Sequence, residues 1–225
     1  MARVIQEISR KISNASRRKI IGKFYSRKMR LLIPYESLPE MHFMYFLDAA
    51  SNVKVFSSQP GKLTYFDSEG LLRSYTPDFR VYLDDDSTPH YVEVKPDTQL
   101  DYWEIEEKHE QLAREFASRG ARFHVVSTEL TDKQPTLSNL KLLHNYGGFD
   151  VEPLFEKQIF CLLGHGPKSL ADISDFFHNV PSVTESIYCL CFRNVLQLCD
   201  INLDISSHSF VRIYDGSANL YWPEV

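Results

Sequence analysis

The 225-residue sequence contains only four cysteines and two tryptophans. Cys161, Cys189, Cys191 and Cys199 all fall in the last third, with no C-x-x-C pair and no Cys/His spacing of a zinc finger. Cys189 and Cys191 lie in a mostly apolar run, where buried free thiols are expected ahead of a disulfide or a metal ligand. No stretch approaches the ~18 consecutive apolar residues that span a bilayer. The N-terminus lacks the apolar core of a secretory signal, and no internal repeat or low-complexity tract is present. These absences lead us to expect a cytoplasmic protein with no membrane contact. With 43% hydrophobic and 24% charged residues, the composition also excludes wholesale disorder, collagen and coiled coil. The length suits one large or two modest domains, each with its own core.

Charge is unevenly distributed. Residues 1–30 hold ten Lys/Arg against the single acid Glu7, a net +9, which leaves −14 for residues 31–225. A basic arm on an acidic body fits a polyanion contact, because each neutralised phosphate releases counterions. It fits a targeting presequence or a solubilising tail equally well. Within the arm, Arg10, Lys11, Arg17, Arg18, Lys19 and Lys23 are the candidate DNA contacts. The acidic body means that any nucleic-acid contact is local.

Along the chain, Ser37 and Glu40 form an S-x-x-E capping box with Pro39 in the first turn, predicting a helix with Phe43, Met44 and Leu47 on its buried stripe. Strands are predicted at Val53–Phe56, Lys62–Phe66, Leu71–Tyr75, Asp78–Leu83 and His90–Lys95, with turns at Gln59–Gly61 and Asp67–Gly70. A helix over Asp101–Arg119, stopped by Gly120, leads to the strand Arg122–Ser127 as in a βαβ crossover. The order is that of a mixed α/β sheet. Beyond a connector with a short helix at Leu137–Leu143, three helices are expected: Leu154–Leu163, Ser169–Phe177 and Val183–Leu198. Short strands at Ile201–Leu203 and Phe210–Tyr214 would complete a winged-helix-like pattern. The expected domains are a basic arm over 1–29, a nuclease-sized α/β domain over 30–150 and a small domain over 151–225.

The chemistry concentrates in Asp78 and, after fourteen intervening residues, Glu93-Val94-Lys95. Side chains two apart on a strand share a face, so Glu93 and Lys95 point together, and Asp78 opens the preceding strand. Two adjacent carboxylates repel unless a hard divalent cation lies between them. Mg2+ there polarises a phosphodiester and lowers the pKa of a water, while Lys95 orients or deprotonates that water. Glu40 lies on an element that can complete the set. Taken alone, the spacing fits a solvent-facing strand with weak ion pairs better; the Thr76-Pro-Asp-Phe79 context and the strand–strand–helix order around it favour the metal site. Asp84, Asp85 and Asp86 read as a solvated turn, His90 as an exposed strand-edge histidine and His109 as a packing residue. Gln59 sits in a turn close to the site and is a further candidate DNA contact, with simple turn chemistry as the alternative.

Glu36-Ser-Leu-Pro-Glu40, Ser58-Gln-Pro60, Tyr75-Thr-Pro-Asp-Phe79 and Tyr91-Val-Glu-Val-Lys-Pro96 resemble, in order, the PD-(D/E)xK nuclease core. More closely they resemble the TnsA family, the endonuclease subunit of heteromeric cut-and-paste transposases. The resemblance covers roughly residues 30–215, and the chain length is that of the compact members in CRISPR-associated transposons. It implies a restriction-endonuclease-like mixed sheet with flanking helices, plus the small C-terminal domain. It implies cleavage of the 5′ strands at transposon ends beside a TnsB-like DDE transposase, which cuts and joins the 3′ ends, and a TnsC-like AAA+ regulator docking on the C-terminal domain. Glu40, Asp78, Glu93 and Lys95 match the catalytic set, with Glu36 as rival to Glu40. Asp78, Glu93 and the Val94 carbonyl would hold Mg2+ (or Mn2+), and Glu40 would bind or orient a second ion. Some members carry Gln at the position of Glu93; the acid here keeps the general nuclease pattern. The resemblance places the protein in the bacterial cytoplasm, associated with the nucleoid when active. A stand-alone restriction or repair nuclease and an inactive adaptor or DNA-binding module are the competing readings.

Overall fold

The structure is a computed structural model that describes residues 20–96 and 103–217. The chain divides into two compact units, the first ending at Asp132 and the second beginning at Lys133. The break comes before the connector helix, where the sequence pattern suggested 150.

In the first unit the strands β1 (Gly22–Ser26) and β2 (Leu31–Tyr35) form an antiparallel hairpin. Gly22 lets the Tyr35 ring lie against the strand, since a Cβ there would come within 2.3 Å of the Tyr35 hydroxyl and force that side chain aside. Helix α1 (Leu38–Ala49) follows, then β3 (Val53–Ser58), the hairpin β4 (Leu63–Phe66) and β5 (Leu72–Tyr75), β6 (Phe79–Leu83) and β7 (His90–Lys95). Helix α2 (Trp103–Ala117), β8 (Arg122–Ser127) and the short α3 (Thr128–Thr131) complete it. Gly120, at φ +70°, makes the left-handed turn that releases the chain from α2.

The main sheet has the order β3-β6-β7-β8, antiparallel except for the parallel β7/β8 pair that the α2 crossover joins. Phe43, Met44 and Leu47 of α1 are fully buried, and Phe43 meets Phe79 edge-on at 5.4 Å. A second cluster forms where the β4/β5 hairpin folds onto α2: Leu63 and Tyr65 pack with Leu112, Phe116 and Ala121, flanked by Tyr75, Tyr91 and Phe123. Burial of each such side chain contributes about 1.5–3 kcal/mol, so the hairpin is held firmly although it lies outside the main sheet.

The basic segment is not an arm as far as residue 29: from Gly22 it is already part of the fold. Phe24 and Ser26 are buried, and Ser26 and the Arg27 amide donate to the buried Asp48 near the end of α1. Lys28 points inward: its ammonium donates to the carbonyls of Leu47 (3.0 Å), Val53 (2.7 Å) and Ala50. Burial pulls its pKa down to about 8, with the charges of Asp48 and Asp84 pushing back. Lys28 is therefore a helix C-cap that satisfies otherwise orphaned carbonyls. We expect Lys28→Met to lower the stability of this unit by about 2 kcal/mol in denaturant unfolding, through the carbonyls left unpaired.

The second unit contains α4 (Thr136–Tyr146), α5 (Pro153–Leu163), β9 (Lys168–Ser169), α6 (Leu170–Phe176), α7 (Val183–Phe192), β10 (Leu196–Leu198) and β11 (Phe210–Ile213). Its three strands form an antiparallel sheet in the order β10-β11-β9. α7 is shorter than the sequence suggests, because Asn194 at φ +55° turns the chain out of the helix. The strand that follows is Leu196–Leu198, and Ile201–Leu203 is a turn. Cys189 and Cys191 are buried free thiols on α7, as expected, and α4 packs along the same helix. No helix among the described residues is long and apolar enough to cross a membrane.

Candidate active site

Strand register assembles the site. Phe79 pairs with Val92 across β6/β7, which sets Asp78, one residue back, opposite Glu93. Ser58 pairs with Phe79 across β3/β6, so Gln59 meets Asp78 in the same row, and its N–H donates to the Asp78 carbonyl at 2.7 Å. Three strand ends thus line up Gln59, Asp78 and Glu93, although they are far apart in sequence.

β7 is an interior strand, covered on both sides, so Glu93 is buried at 6% exposure instead of lying on a solvated face. Its Oε1 takes an ion pair from Lys95 Nζ at 2.5 Å, and its Oε2 accepts from the Tyr75 hydroxyl at 2.5 Å. Asp78 Oδ2 accepts the Val94 N–H at 2.8 Å. Glu40, also buried, closes the capping box: Ser37 Oγ lies 2.9 Å from its Oε1, and Glu36 N–H donates to its Oε2 at 2.8 Å. Glu36 is buried as well, but it is the charge of Glu40 that bears on both Asp78 and Lys95. All four matching residues therefore share one electrostatic site.

The site is over-supplied with negative charge. Burial raises the Asp78 carboxyl well above the usual range, and the neighbouring charges of Glu93 and Glu40 raise it further. Burial works against the Lys95 ammonium, yet its bond to Glu93 and the fields of Asp78 and Glu40 outweigh that and lift its pKa. The Tyr75 phenol is driven up by burial and then by Glu93, so it stays a proton donor.

Such a set fits a hard cation in kind: two carboxylates and a strand-end carbonyl, with one ammonium against three acids. Among the described residues no three His, Cys, Asp or Glu side chains converge as a metal cage. Mg2+ does not require one, since it is commonly held by one or two carboxylates and keeps several waters.

The other sequence candidates separate. Arg10, Lys11, Arg17, Arg18 and Lys19 lie outside the described residues. Lys23 is an exposed residue of β1, part of the fold and not of a free arm. His90 is buried, not exposed: it stacks on His124 at 5.1 Å, with Nδ1 2.9 Å from His124 Nε2. His109 packs beside Phe123 at 6.1 Å, and Glu93 and Lys95 act on its charge. Tyr75 is the side chain at this site that pattern reading missed. Its only signal was the position three residues before Asp78; the fold of the β4/β5 hairpin makes the contact.

Residues 50–128 match the family model described as TnsA-like endonuclease N terminal. The match runs from the end of α1 through β8 and includes Asp78, Glu93 and Lys95, while Glu40 and the second unit lie outside it. No curated protein matches the chain. Row geometry, buried charge and this likeness coincide on one segment: residues 50–128, which carry Asp78, Glu93 and Lys95 on the mixed sheet, are similar to the N-terminal domain of TnsA-like endonucleases.

Proposed function

We propose that this protein is the DNA-cutting subunit of a cut-and-paste transposase, hydrolysing the 5′ strands at transposon ends to leave 3′-OH and 5′-phosphate. The observation that carries the reading is Asp78 set opposite Glu93 by strand register, with Lys95 paired to Glu93. Asp78, Glu93 and the Val94 carbonyl would hold Mg2+, which would supply Lewis-acid activation of the phosphodiester and of the attacking water. The chain's own residues do the rest. Lys95, kept charged by Glu93, orients the attacking water and stabilises charge that develops on the phosphoryl oxygens. Glu40, whose charge acts on Asp78 and Lys95, would bind or orient a second ion. Tyr75 fixes one Glu93 oxygen while Lys95 pairs with the other, so the carboxylate is held in one orientation. We expect Tyr75→Phe to cut about 10-fold more slowly and to need more Mg2+ for half-maximal rate, as for other changes one contact removed from a ligand. A Mg2+ titration of the cleavage rate measures both.

A TnsB-like DDE transposase would cut and join the 3′ ends, and a TnsC-like AAA+ regulator would dock on the second unit. Two features of that unit, read as a winged helix, support a protein partner over DNA. α7, in the place of a recognition helix, has no Lys or Arg within it and is largely buried beside α4. The loop 199–209, in the place of the wing, carries Asp200 and Asp204 without Lys or Arg, and Asn139 of α4 ties it down through the carbonyls of Ile201 and Leu203. Such a surface offers phosphates no counter-charge.

The test is strand-resolved mapping of cuts at a transposon end, with the transposase and regulator of the same element, Mg2+, and either wild-type protein or Asp78→Asn. Loss of 5′-strand cuts alone, with 3′ cuts persisting, supports the reading. Identical cuts from both proteins exclude this site as the nuclease. Cuts by wild type without any partner would favour a stand-alone nuclease.

A further inference from the structure

A polar cavity of about 290 Å3 opens beside Asp78, lined by Gln59, Lys62, Ser74, Tyr75 and Thr76. Its floor is rigid. Gln59 is buried at 4% exposure and held at φ +45°, a strained backbone for a residue with a side chain, and its N–H is spent on the Asp78 carbonyl. Its wall is the inner end of the β4/β5 hairpin, anchored on α2 through Leu63 and Tyr65. The charges do not cancel within it. Lys62 is exposed and has no hydrogen bond or ion pair among the described residues, while the Asp78 side chain accepts from the Val94 N–H.

Lys62, Ser74 and Thr76 bring an ammonium and two hydroxyls to the lining of a polar hollow beside Asp78, groups that can donate to an anion. On the nuclease reading above, the acceptor that must lie there is the DNA strand being cut. We propose that this cavity seats the phosphodiester next to the scissile one on that strand, with Lys62 as its counter-charge and Ser74 and Thr76 as hydroxyl donors. Glu93 and Lys95 do not line the cavity, so the neighbouring phosphate is gripped on the Asp78 side while the scissile phosphate sits over the carboxylates. This grip fixes which bond reaches the site.

The test compares wild type, Lys62→Met, Lys62→Arg and Asp78→Asn on the element's own end duplex, with its transposase, its regulator and Mg2+, at several salt concentrations. Lys54→Met, an exposed β3 lysine outside the cavity, controls for lost charge in general. Lys62→Met should raise KM for the end duplex about 10-fold with kcat within about 2-fold, and flatten the salt dependence of binding by about 0.9 in log–log slope, one phosphate contact. Lys62→Arg should recover most of the KM, and Lys54→Met should match wild type. A single neutral methylphosphonate on one side of the scissile bond should weaken wild type equally and leave Lys62→Met unaffected. Wild-type KM and salt slope in Lys62→Met, or equal methylphosphonate losses in both proteins, would overturn the inference while the nuclease reading stands. If Asp78→Asn cuts like wild type, the nuclease reading itself falls and the inference falls with it.

Discussion

Asp78→Asn is expected to abolish cutting, by about 10^3-fold or more, and at the same time to make the metal-free protein more stable at neutral pH. The two effects share a cause. Asp78 is partly buried beside Glu93 and Glu40, so its ionised form is disfavoured and its folded pKa stands above the unfolded one. For a carboxyl shifted in this direction, the folded state binds the proton more tightly. Its favourable contribution is present below the unfolded pKa, about 3.9, and is lost as pH rises through the folded pKa. Asparagine keeps an oxygen for the Val94 N–H and carries no charge. The melting temperature of Asp78→Asn should therefore exceed that of wild type by several degrees at pH 7–8 without metal, and the difference should vanish near pH 3–4. Mg2+ should raise the wild-type midpoint at pH 8 and leave the variant unmoved. Thermal melts across pH, with EDTA or Mg2+, decide this; a variant less stable than wild type at pH 8 would make Asp78 a structural residue.

Lys95→Met is expected to be equally inactive but to move stability the other way. Glu93 has 8% side-chain exposure and Lys95 32%, and their 2.5 Å ion pair is the main compensation for the buried acid. Removing the ammonium leaves Glu93 with the Tyr75 hydroxyl alone, facing Asp78 and Glu40. Breaking a fully buried pair costs about 3–5 kcal/mol; because Lys95 keeps a third of its exposure, about 2 kcal/mol is expected here. The double variant Glu93→Gln/Lys95→Met should recover most of that loss and none of the activity. The Lys95 pKa is raised on folding, so its contribution holds at every pH below its unfolded value of about 10.4 and fades only as pH rises through the folded pKa. Denaturant unfolding of the single and double variants at pH 7.5 measures this. Unchanged stability in Lys95→Met would show that the ion pair contributes nothing to the folded state. Opposite stability shifts in two inactive variants would separate an excess of negative charge from a lost partner, which activity loss alone does not do.

Several features were legible because they are local. The Ser37/Glu40 box, the Phe43–Leu47 stripe, the stop at Gly120 and the alternation around Glu93 and Lys95 depend on spacings of two to four residues, fixed by strand pleat and helix pitch. The N-terminal hairpin was hidden for the same reason. Its buried Phe24 and Ser26 alternate with Lys23 and Tyr25, but the surrounding run of cations outweighs a five-residue strand in any composition window.

By itself the sequence determined the kinds of residue in the site, their order and the strands that bear them, since alternation and capping follow from covalent geometry. Only the tertiary structure decided that Glu93 is buried, that Tyr75 reaches it, that His90 turns inward and that Lys28 caps a helix. It also decided that Lys62 and Asp78 line one cavity. Those outcomes depend on which surfaces fold over one another: α2 and the β4/β5 hairpin close over the end of β7, and the β1/β2 turn closes over the end of α1. Contacts between segments far apart in sequence are set by the packing of whole elements, and no local spacing encodes them.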